Sequence, residues 1–461
     1  MTLISNPDIT KALDRIRCRA AAYEKAEKYY DGCHNLAYAT EKFENAFGKL
    51  FREFAMNLCP AVVDAVKDKL VVSEFSIESG ETSIADEAWK IWQANRMGIR
   101  AGEIHKEAAK TGDAYAIVWP NAEGKVTIYP NRAANCTVFY DDENPGRILW
   151  AAKLWQRDDD KRWRLNLFYP DRVERYLTKA AAKPAVSTDP KKDLSVIPFA
   201  AAEFESMEEK PITNPYGIVP VFHFANNGEI GRFGTSELKS AIPVQDALNK
   251  SVLDMMVTME FSAYRQRWAA GIEIEYDDDG KPKAPFEAGI SHLWITEHPD
   301  AKFGDFEASD LEKFIKVKES FRTDLSMVTG TPAHYLMQTG AAFPQSGISV
   351  EKLESRFLNK IRDRQNSFGA VWEDVMSFAL TIENKGTGVR LFTGWEDPAP
   401  LSENEQLINL GLKKDIGVTD EYLLMEAGYG EADIKKMMAA KEAERERMVQ
   451  SFNAGDLDPE S

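Results

Sequence analysis

The chain has 461 residues and carries 57 basic against 74 acidic side chains, a formal net charge of −17 at pH 7. At this length a single simple core is unexpected, and two to four structural regions are predicted. The acidic balance excludes a basic nucleic-acid-binding domain of the usual kind, because tight phosphate binding as the main task needs clustered Lys and Arg. Met1–Ser5 runs directly into a charged amphipathic helix, so no signal peptide is expected. Residues from Asp8 to Trp92 read as helical, with a first apolar stripe at Leu13, Ile16, Ala20, Tyr23 and Tyr30. From Ala114 to Tyr176 the pattern turns strand-like: Tyr115–Trp119, Val126–Tyr129, Val138–Tyr140, Ile148–Trp150 and Trp163–Tyr169, separated by the turns Asn121–Gly124 and Asp142–Gly146. Residues 179–210 are rich in Ala, Lys, Pro and Asp and are expected to form a surface excursion.

A second helix-rich region starts at Ser236, which suits a cap, and Pro243 is expected at a kink or at the first turn of a renewed helix. Val244, Leu248, Val252, Met255 and Met259 form one stripe, and Met256 adds to a methionine cluster. Unbranched Met fills irregular gaps between packed helices, so the stripe reads as helix core or as a seam between subunits. Residues 268–308 read as a small strand-bearing insert, with Ile272–Tyr276 and Ser291–Ile295, which includes Trp294, as its strands. Asp277-Asp278-Asp279-Gly280 is a solvated acidic turn, since consecutive acids lack the alternating ligand spacing of a calcium loop.

Ser309-Asp310-Leu311-Glu312 is a capping box that opens the next helix. Leu311, Phe314, Phe321, Leu325 and Val328 fall on one face, and Lys313, Lys316, Ser320, Thr323 and Met327 on the opposite one, with Lys318 and Arg322 at the flanks. The stretch Thr329–Gly347 then holds no charged residue apart from a protonatable His334. Loops of that length inside a compact protein are uncommon and usually functional. Gly330, Gly340 and Gly347 make flexible points, Pro332 and Pro344 stiffen the backbone, and Tyr335, Leu336, Met337, Gln338 and Thr339 form the expected tip. The competing reading has Tyr335, Leu336 and Phe343 filling a core beneath the following helix. That helix begins near Ser349, with a stripe through Val350, Leu353, Phe357, Ile361, Phe368, Trp372, Val375 and Ala379. It spans roughly 45 Å at 1.5 Å per residue. The C-terminal part is helical again: a capping box at Ser402–Glu405 ahead of Leu407, Ile408, Leu410 and Leu412, a short helix capped by Thr419 through Met425, and Glu431–Val449 before an acidic tail.

Cys18, Cys33, Cys59 and Cys136 show no CxxC pair, so reduced thiols in a cytoplasmic protein are expected rather than disulfides. No apolar run reaches bilayer length, and a soluble chain without membrane partners is expected. Motifs for phosphate loops, serine hydrolases and zinc proteases are absent; Gly428-Tyr429-Gly430 lacks a third glycine, and Cys33-His34 lacks partners at metal spacing. No cofactor, metal or catalytic residue is assigned. A metal-dependent nuclease fits only the abundance of acids, and a cytoplasmic scaffold or adaptor fits the composition as well.

Several blocks, in order, resemble the portal proteins of tailed bacteriophages, in the branch similar to the portal of a Bacillus siphophage. They are Tyr29-Tyr30-Asp31-Gly32, Asn57, Val62–Ala65 with Asp68–Leu70, Ala88–Trp92, His105–Ala108 running into Thr111–Tyr115, Tyr216–Val221, Gly234–Leu238, Gln245–Asn249, and the Thr329–Gly347 loop with Arg362, Arg364, Gln365 and Phe368-Gly369 in its following helix. The resemblance implies an α+β, mainly helical portal fold. Its parts would be a wing at 1–235 with a β-rich middle, a first stem helix at 236–267, a clip at 268–308 and a second stem helix at 309–328. A tunnel loop would follow at 329–347, then a long helix returning to the wing at 348–397 and a helical crown with an acidic tail at 398–461. It also implies a ring, a dodecamer, at one capsid vertex, with double-stranded DNA passing through it, not read for sequence. Partners would be the terminase large subunit, a head–tail adaptor, and the major capsid and scaffold proteins. In such a ring Lys313, Lys316, Ser320 and Thr323 would line the channel, the lysines as circles of positive charge. Tyr335–Thr339 would form the tunnel loop, and Val244, Leu248, Val252, Met255, Met259 and Trp294 would lie at subunit interfaces.

Overall fold

The computed structural model describes residues 6–33, 56–77, 82–179, 203–230, 232–263, 267–271, 276, 300–305, 310–337, 347–386, 388–399 and 403–455. Helix α1 (Pro7–Tyr30) starts where Asn6 Oδ1 accepts from the Asp8 amide at 3.0 Å and Pro7 supplies a preset first turn. Its buried residues are Ile9, Ala12, Leu13, Ile16, Tyr23, Ala26 and Tyr29; Tyr29 rather than Tyr30 faces inward, and Ala20 is half-buried. The remaining N-terminal elements are α2 (Cys59–Lys67), β1 (Val72–Ile77), α3 (Thr82–Ala94) and α4 (Met97–Thr111). The expected all-helical stretch from Asp8 to Trp92 is therefore broken by a strand. Its pairing partner lies more than three hundred residues away, at Leu391–Trp395, and no local periodicity reports such a contact.

The β-rich middle comprises β2 (Asp113–Pro120), β3 (Val126–Arg132), β4 (Cys136–Tyr140), β5 (Ile148–Gln156), β6 (Trp163–Phe168), β7 (Arg172–Thr178), β8 (Phe204–Ser206), β9 (Ile212–Thr213) and β10 (Val221–Ala225). Strands β4 to β8 pair in chain order, with β9 also on β7, and every pairing among the described strands is antiparallel. A second sheet runs β10–β2–β3, with Ile117 opposite both Val221 and Tyr129. Strand β2 is covered on both faces, which is why Asp113–Val118 is buried throughout. The first half of α1 covers β5 and β6, while Ala26 and Tyr29 join the main helical core, so one helix ties two cores together.

Helix α5 (Leu238–Ala263) leads to the antiparallel pair β11 (Arg267–Ala270) and β12 (Lys302–Asp305). Ser236 Oγ accepts from the Leu238 amide at 3.0 Å, as its capping role requires, and the helix runs through Pro243 as one element. The predicted insert strand at Ser291–Ile295, all but Tyr276 of the one at Ile272–Tyr276, and the Asp277–Gly280 turn lie outside the described residues. Next come α6 (Leu311–Thr329), the short α7 (Ala333–Leu336), α8 (Gly347–Ile382) and β13 (Leu391–Trp395). Phe357, Ile361, Phe368, Trp372, Val375 and Ala379 of α8 are all buried in the main core, as the stripe predicted. Trp372 Nε1 donates to His105 Nε2 at 2.9 Å, and His105 Nδ1 lies 3.1 Å from Leu70 O, so the imidazole is neutral with its proton on Nδ1. Burial pushes the His105 pKa down to about 4.

The chain forms two compact units, Met1–Phe343 with Ser355–Pro398, and Pro344–Glu354 with Ala399–Ser461. The second holds α9 (Glu403–Asp415), α10 (Asp420–Glu426) and α11 (Glu431–Gly455). Thr419 stands at the predicted cap of α10 in extended backbone, but its side chain makes no capping bond. Ion pairs Lys413–Glu426 and Lys441–Asp420 join these helices, around the buried Leu423 and Ile434.

Candidate channel and assembly surfaces

Helices α5 and α6 pack along each other. The cap of α6 is Asp310, whose Oδ1 accepts from the Glu312 amide at 3.1 Å; the predicted box placed it one residue earlier, at Ser309, which lies outside the described residues. The helix ends at Gly330, in the left-handed region at φ 68°, where its amide bonds Ser326 O. Of the predicted apolar face, Leu325 is buried and Leu311, Phe314 and Phe321 are half-buried, but Val328 is exposed, as are Ile315 and Val317. The buried stripe on α6 is therefore narrower than the wheel suggested, and much apolar surface on this helix faces outward.

Lys313, Lys316, Ser320 and Thr323 are all exposed on the face opposite that stripe, with the two lysine side chains 80% and 72% accessible. They are not isolated cations. Lys313 Nζ lies 3.7 Å from Asp310 and Lys316 Nζ 2.9 Å from Glu312, each acid one turn earlier. Repeated around an axis, this face would carry alternating charge rather than circles of positive charge alone. Such exposed pairs contribute little stability, about 0.3–0.5 kcal/mol each.

The predicted loop tip separates into two parts. Leu336 is only 4% exposed and belongs to the main core, and Tyr335 packs edge-on against Phe357 at a centroid distance of 6.0 Å. Both sit on α7, whose N-cap is Pro332. Tyr335 and Leu336 are therefore anchors of the chain and not its tip, because burying them removes apolar surface that the open loop would leave in water. Met337 is half-buried, and Gln338 and Thr339 lie outside the described residues.

Among the seam residues, Leu248 and Val252 are buried within the subunit and Val244 packs partly on its core. Their apolar surface is already covered, which corrects the expectation that the whole stripe awaits a neighbour. Met255 is half-buried and Met259 is 47% exposed, so outward apolar surface is confined to the far end of α5. Trp294 lies outside the described residues.

Two buried polar clusters support this region, the first at the ends of α5 and α6 and the second at the segment before α5, and the sequence assigned no role to either. In the first, Glu237, just before α5, accepts from Lys360 Nζ at 2.5 Å and Arg364 Nη2 at 3.2 Å, both on α8. Lys360 also donates to Thr329 O, the last carbonyl of α6, at 3.0 Å. Asn226 joins by accepting from Arg364 Nε at 2.6 Å and donating to Glu237 at 3.0 Å. One lysine thus touches the start of α5 and the end of α6. Burial raises the Glu237 pKa, but the Lys360 and Arg364 charges outweigh it and hold the carboxyl below its ordinary value.

In the second, the fully buried Asp113 accepts from Arg19 Nη2 at 2.5 Å, Tyr23 OH at 2.6 Å, His223 Nε2 at 2.8 Å and the Gly234 amide at 2.8 Å. Burial again opposes the charge, and the His223 and Arg19 contacts overcome it, so the Asp113 pKa is lowered. Gly112, at φ 106°, and Gly234 meet here: a Cβ on Gly234 would stand 1.9 Å from Gly112 O. The motifs Thr111-Gly112-Asp113 and Gly234–Leu238 were visible signals, but their meeting was not.

Among the described residues no cluster of His, Cys, Asp and Glu could hold a metal ion, and no helix is long and apolar enough to cross a membrane. Residues 13–448 match the family described as phage portal protein, SPP1 Gp6-like. Relatives include the portal protein of Mycobacterium phage L5, 23% identical over 357 residues, covering 73% of this chain and 68% of that one. The portal protein of Mycobacterium phage D29 is 25% identical over 354 residues, with the same coverage. Among solved structures, a chain from the neck of an empty gene transfer agent (GTA) particle aligns with a TM-score of 0.46 at 12% identity, covering 84% of this chain and 92% of that one.

Proposed function

The chain belongs to the SPP1 Gp6-like phage portal protein family, a class of structural rather than enzymatic proteins, and on that premise we propose that it forms a ring at one capsid vertex through which double-stranded DNA is packaged and ejected. The observation that carries the reading is the extent of the family match, from α1 into α11. In this ring, a dodecamer by analogy with the family, α5 and α6 form the stem. The exposed face of Lys313, Lys316, Ser320 and Thr323 lines the channel, and the exposed Met259, Ile315 and Val317 meet neighbouring subunits. Paired lysines and acids on one face attract a polyanion weakly, which suits a wall past which DNA must move. The uncharged segment beyond Met337 forms the tunnel loop, anchored by Leu336 and Tyr335. The terminase motor and a head–tail adaptor dock at the clip, and capsid and scaffold proteins surround the wing.

Negative-stain images of the purified protein test this. Rings with an axial hole are expected. A stable monomer at all concentrations, with capsid proteins also present, would overturn the reading and favour an adaptor without a channel.

A further inference from the structure

A cleft of about 460 Å³ lies between α3, the start of α4, the β2–β3 hairpin and the end of α8. Five basic side chains line it, Lys90, Arg96, Arg100, Lys125 and Lys385, against two acidic ones, Glu87 and Glu383. The acids are already engaged. Lys385 lies 2.7 Å from Glu87 and 3.1 Å from Glu383, and Lys90 lies 2.7 Å from Glu87. Arg96, Arg100 and Lys125 make no ion pair among the described residues; Arg100 has only a long bond, 3.5 Å, to Ile128 O. Arg96 is held at φ 55°, an uncommon conformation for a side-chain-bearing residue. It stands at the N-cap of the 15-residue α4, and its side chain makes no capping bond. This concentration of uncompensated positive charge lies on a chain of net charge −17.

We infer that this cleft binds a phosphate group of double-stranded DNA, at a contact separate from the channel face. The inference rests on the portal reading only for the source of the phosphate. Two guanidinium groups and the Lys125 ammonium offer more donors than a carboxylate can accept, and a phosphate's oxygens match them. The rest of the acidic surface repels DNA, so the backbone would be held where the local charge is reversed, without reading sequence.

The test uses the full chain with a fluorescein-labelled random-sequence duplex, followed by anisotropy over a salt series, and inorganic phosphate, followed by thermal shift against chloride at equal ionic strength. Arg96→Asn combined with Lys125→Ser changes two exposed side chains outside the core. The variant is expected to bind duplex roughly tenfold or more weakly, since each charge-assisted bond is worth at least that factor. Its salt slope should fall by about 1 per lost phosphate contact. Lys11→Ala with Lys436→Ala, two exposed lysines outside both the cleft and the channel face, should leave this signal in place, and the ring images test the channel reading separately. Wild-type duplex affinity in the cleft variant would overturn the inference. So would phosphate protection without any duplex binding, which would assign the cleft to free phosphate, or equal protection by a glutamate-rich peptide.

Discussion

Removing the Glu237 charge tests whether the clamp on α8 holds the start of α5 and the end of α6. Glu237→Gln keeps the volume and leaves Lys360 and Arg364, whose side chains are 17% and 8% exposed, without their carboxylate. Breaking a buried ion pair from one side typically costs 3–5 kcal/mol, because the remaining charge is uncompensated. Lys360 keeps Thr329 O and Arg364 keeps Asn226, so a cost of about 3 kcal/mol is expected. Urea denaturation followed by tryptophan fluorescence reads it directly, since Trp92 and Trp372 sit in the same core. The pH dependence gives a second readout. The Glu237 pKa is depressed in the folded state, so its contribution is present above the ordinary carboxylate value of 4.5 and fades as pH falls through the folded value. The variant should lose less stability than wild type across that acid range. Adding Lys360→Met to the Glu237→Gln change removes one stranded charge and should recover part of the loss. A Glu237→Gln variant within about 0.5 kcal/mol of wild type would refute the reasoning, because it would place the clamp in solvent.

Gly234→Ala drives a methyl into Gly112 O and threatens the Gly234–Asp113 bond; a loss of at least about 2 kcal/mol in urea is expected, and normal stability would show that the two segments of this junction part easily. His105 has a folded pKa of about 4 against an ordinary 6.5, so the unfolded chain takes up the proton first and stability should fall by about 3 kcal/mol between these values; a His105→Asn variant should lack that part of the slope, and identical slopes would refute it. Leu336→Ala should cost about 2–4 kcal/mol as a core truncation, whereas an unchanged urea midpoint would return Leu336 to an exposed loop. Lys313→Ala with Lys316→Ala should leave ring formation and stability nearly unchanged, given the weak pairs, while altering DNA packaging or retention most at low salt; loss of folding would show that the face is buried.

The helical stripes were legible because helical periodicity is local: Leu13, Ile16, Phe357, Ile361, Trp372 and Val375 are buried where their spacing put them. The strand β1 and the polar clusters were not, because they join residues far apart in the chain. Glu237 meets Lys360 across more than a hundred residues, and nothing near either one announces the other. The Tyr335-Leu336 tip failed for a related reason. Absence of charge marks a segment that avoids strong electrostatic wells, but it marks equally a segment that fills a core, and only the contact with Phe357 decides.

The blocks that carried the family resemblance turn out to be partners of one another. Tyr29 OH donates to both oxygens of Asp246, at 2.7 and 2.9 Å, and Asn57 Nδ2 donates to Tyr29 O and Tyr30 O. Gln245 donates to Met56 O and accepts from the Leu58 amide. Tyr30 bonds Asp64, Asp113 accepts from the Gly234 amide, and Arg364 reaches Glu237. These residues form a hydrogen-bonded frame in which the start of α5 and the end of α6 are fixed, and each buried donor or acceptor in it depends on its distant partner. In the proposed ring, a frame of this kind would support a lining face made of exposed side chains. The blocks that carry the resemblance lie in this frame, whereas the proposed channel face is built from exposed, weak pairs such as Lys316–Glu312.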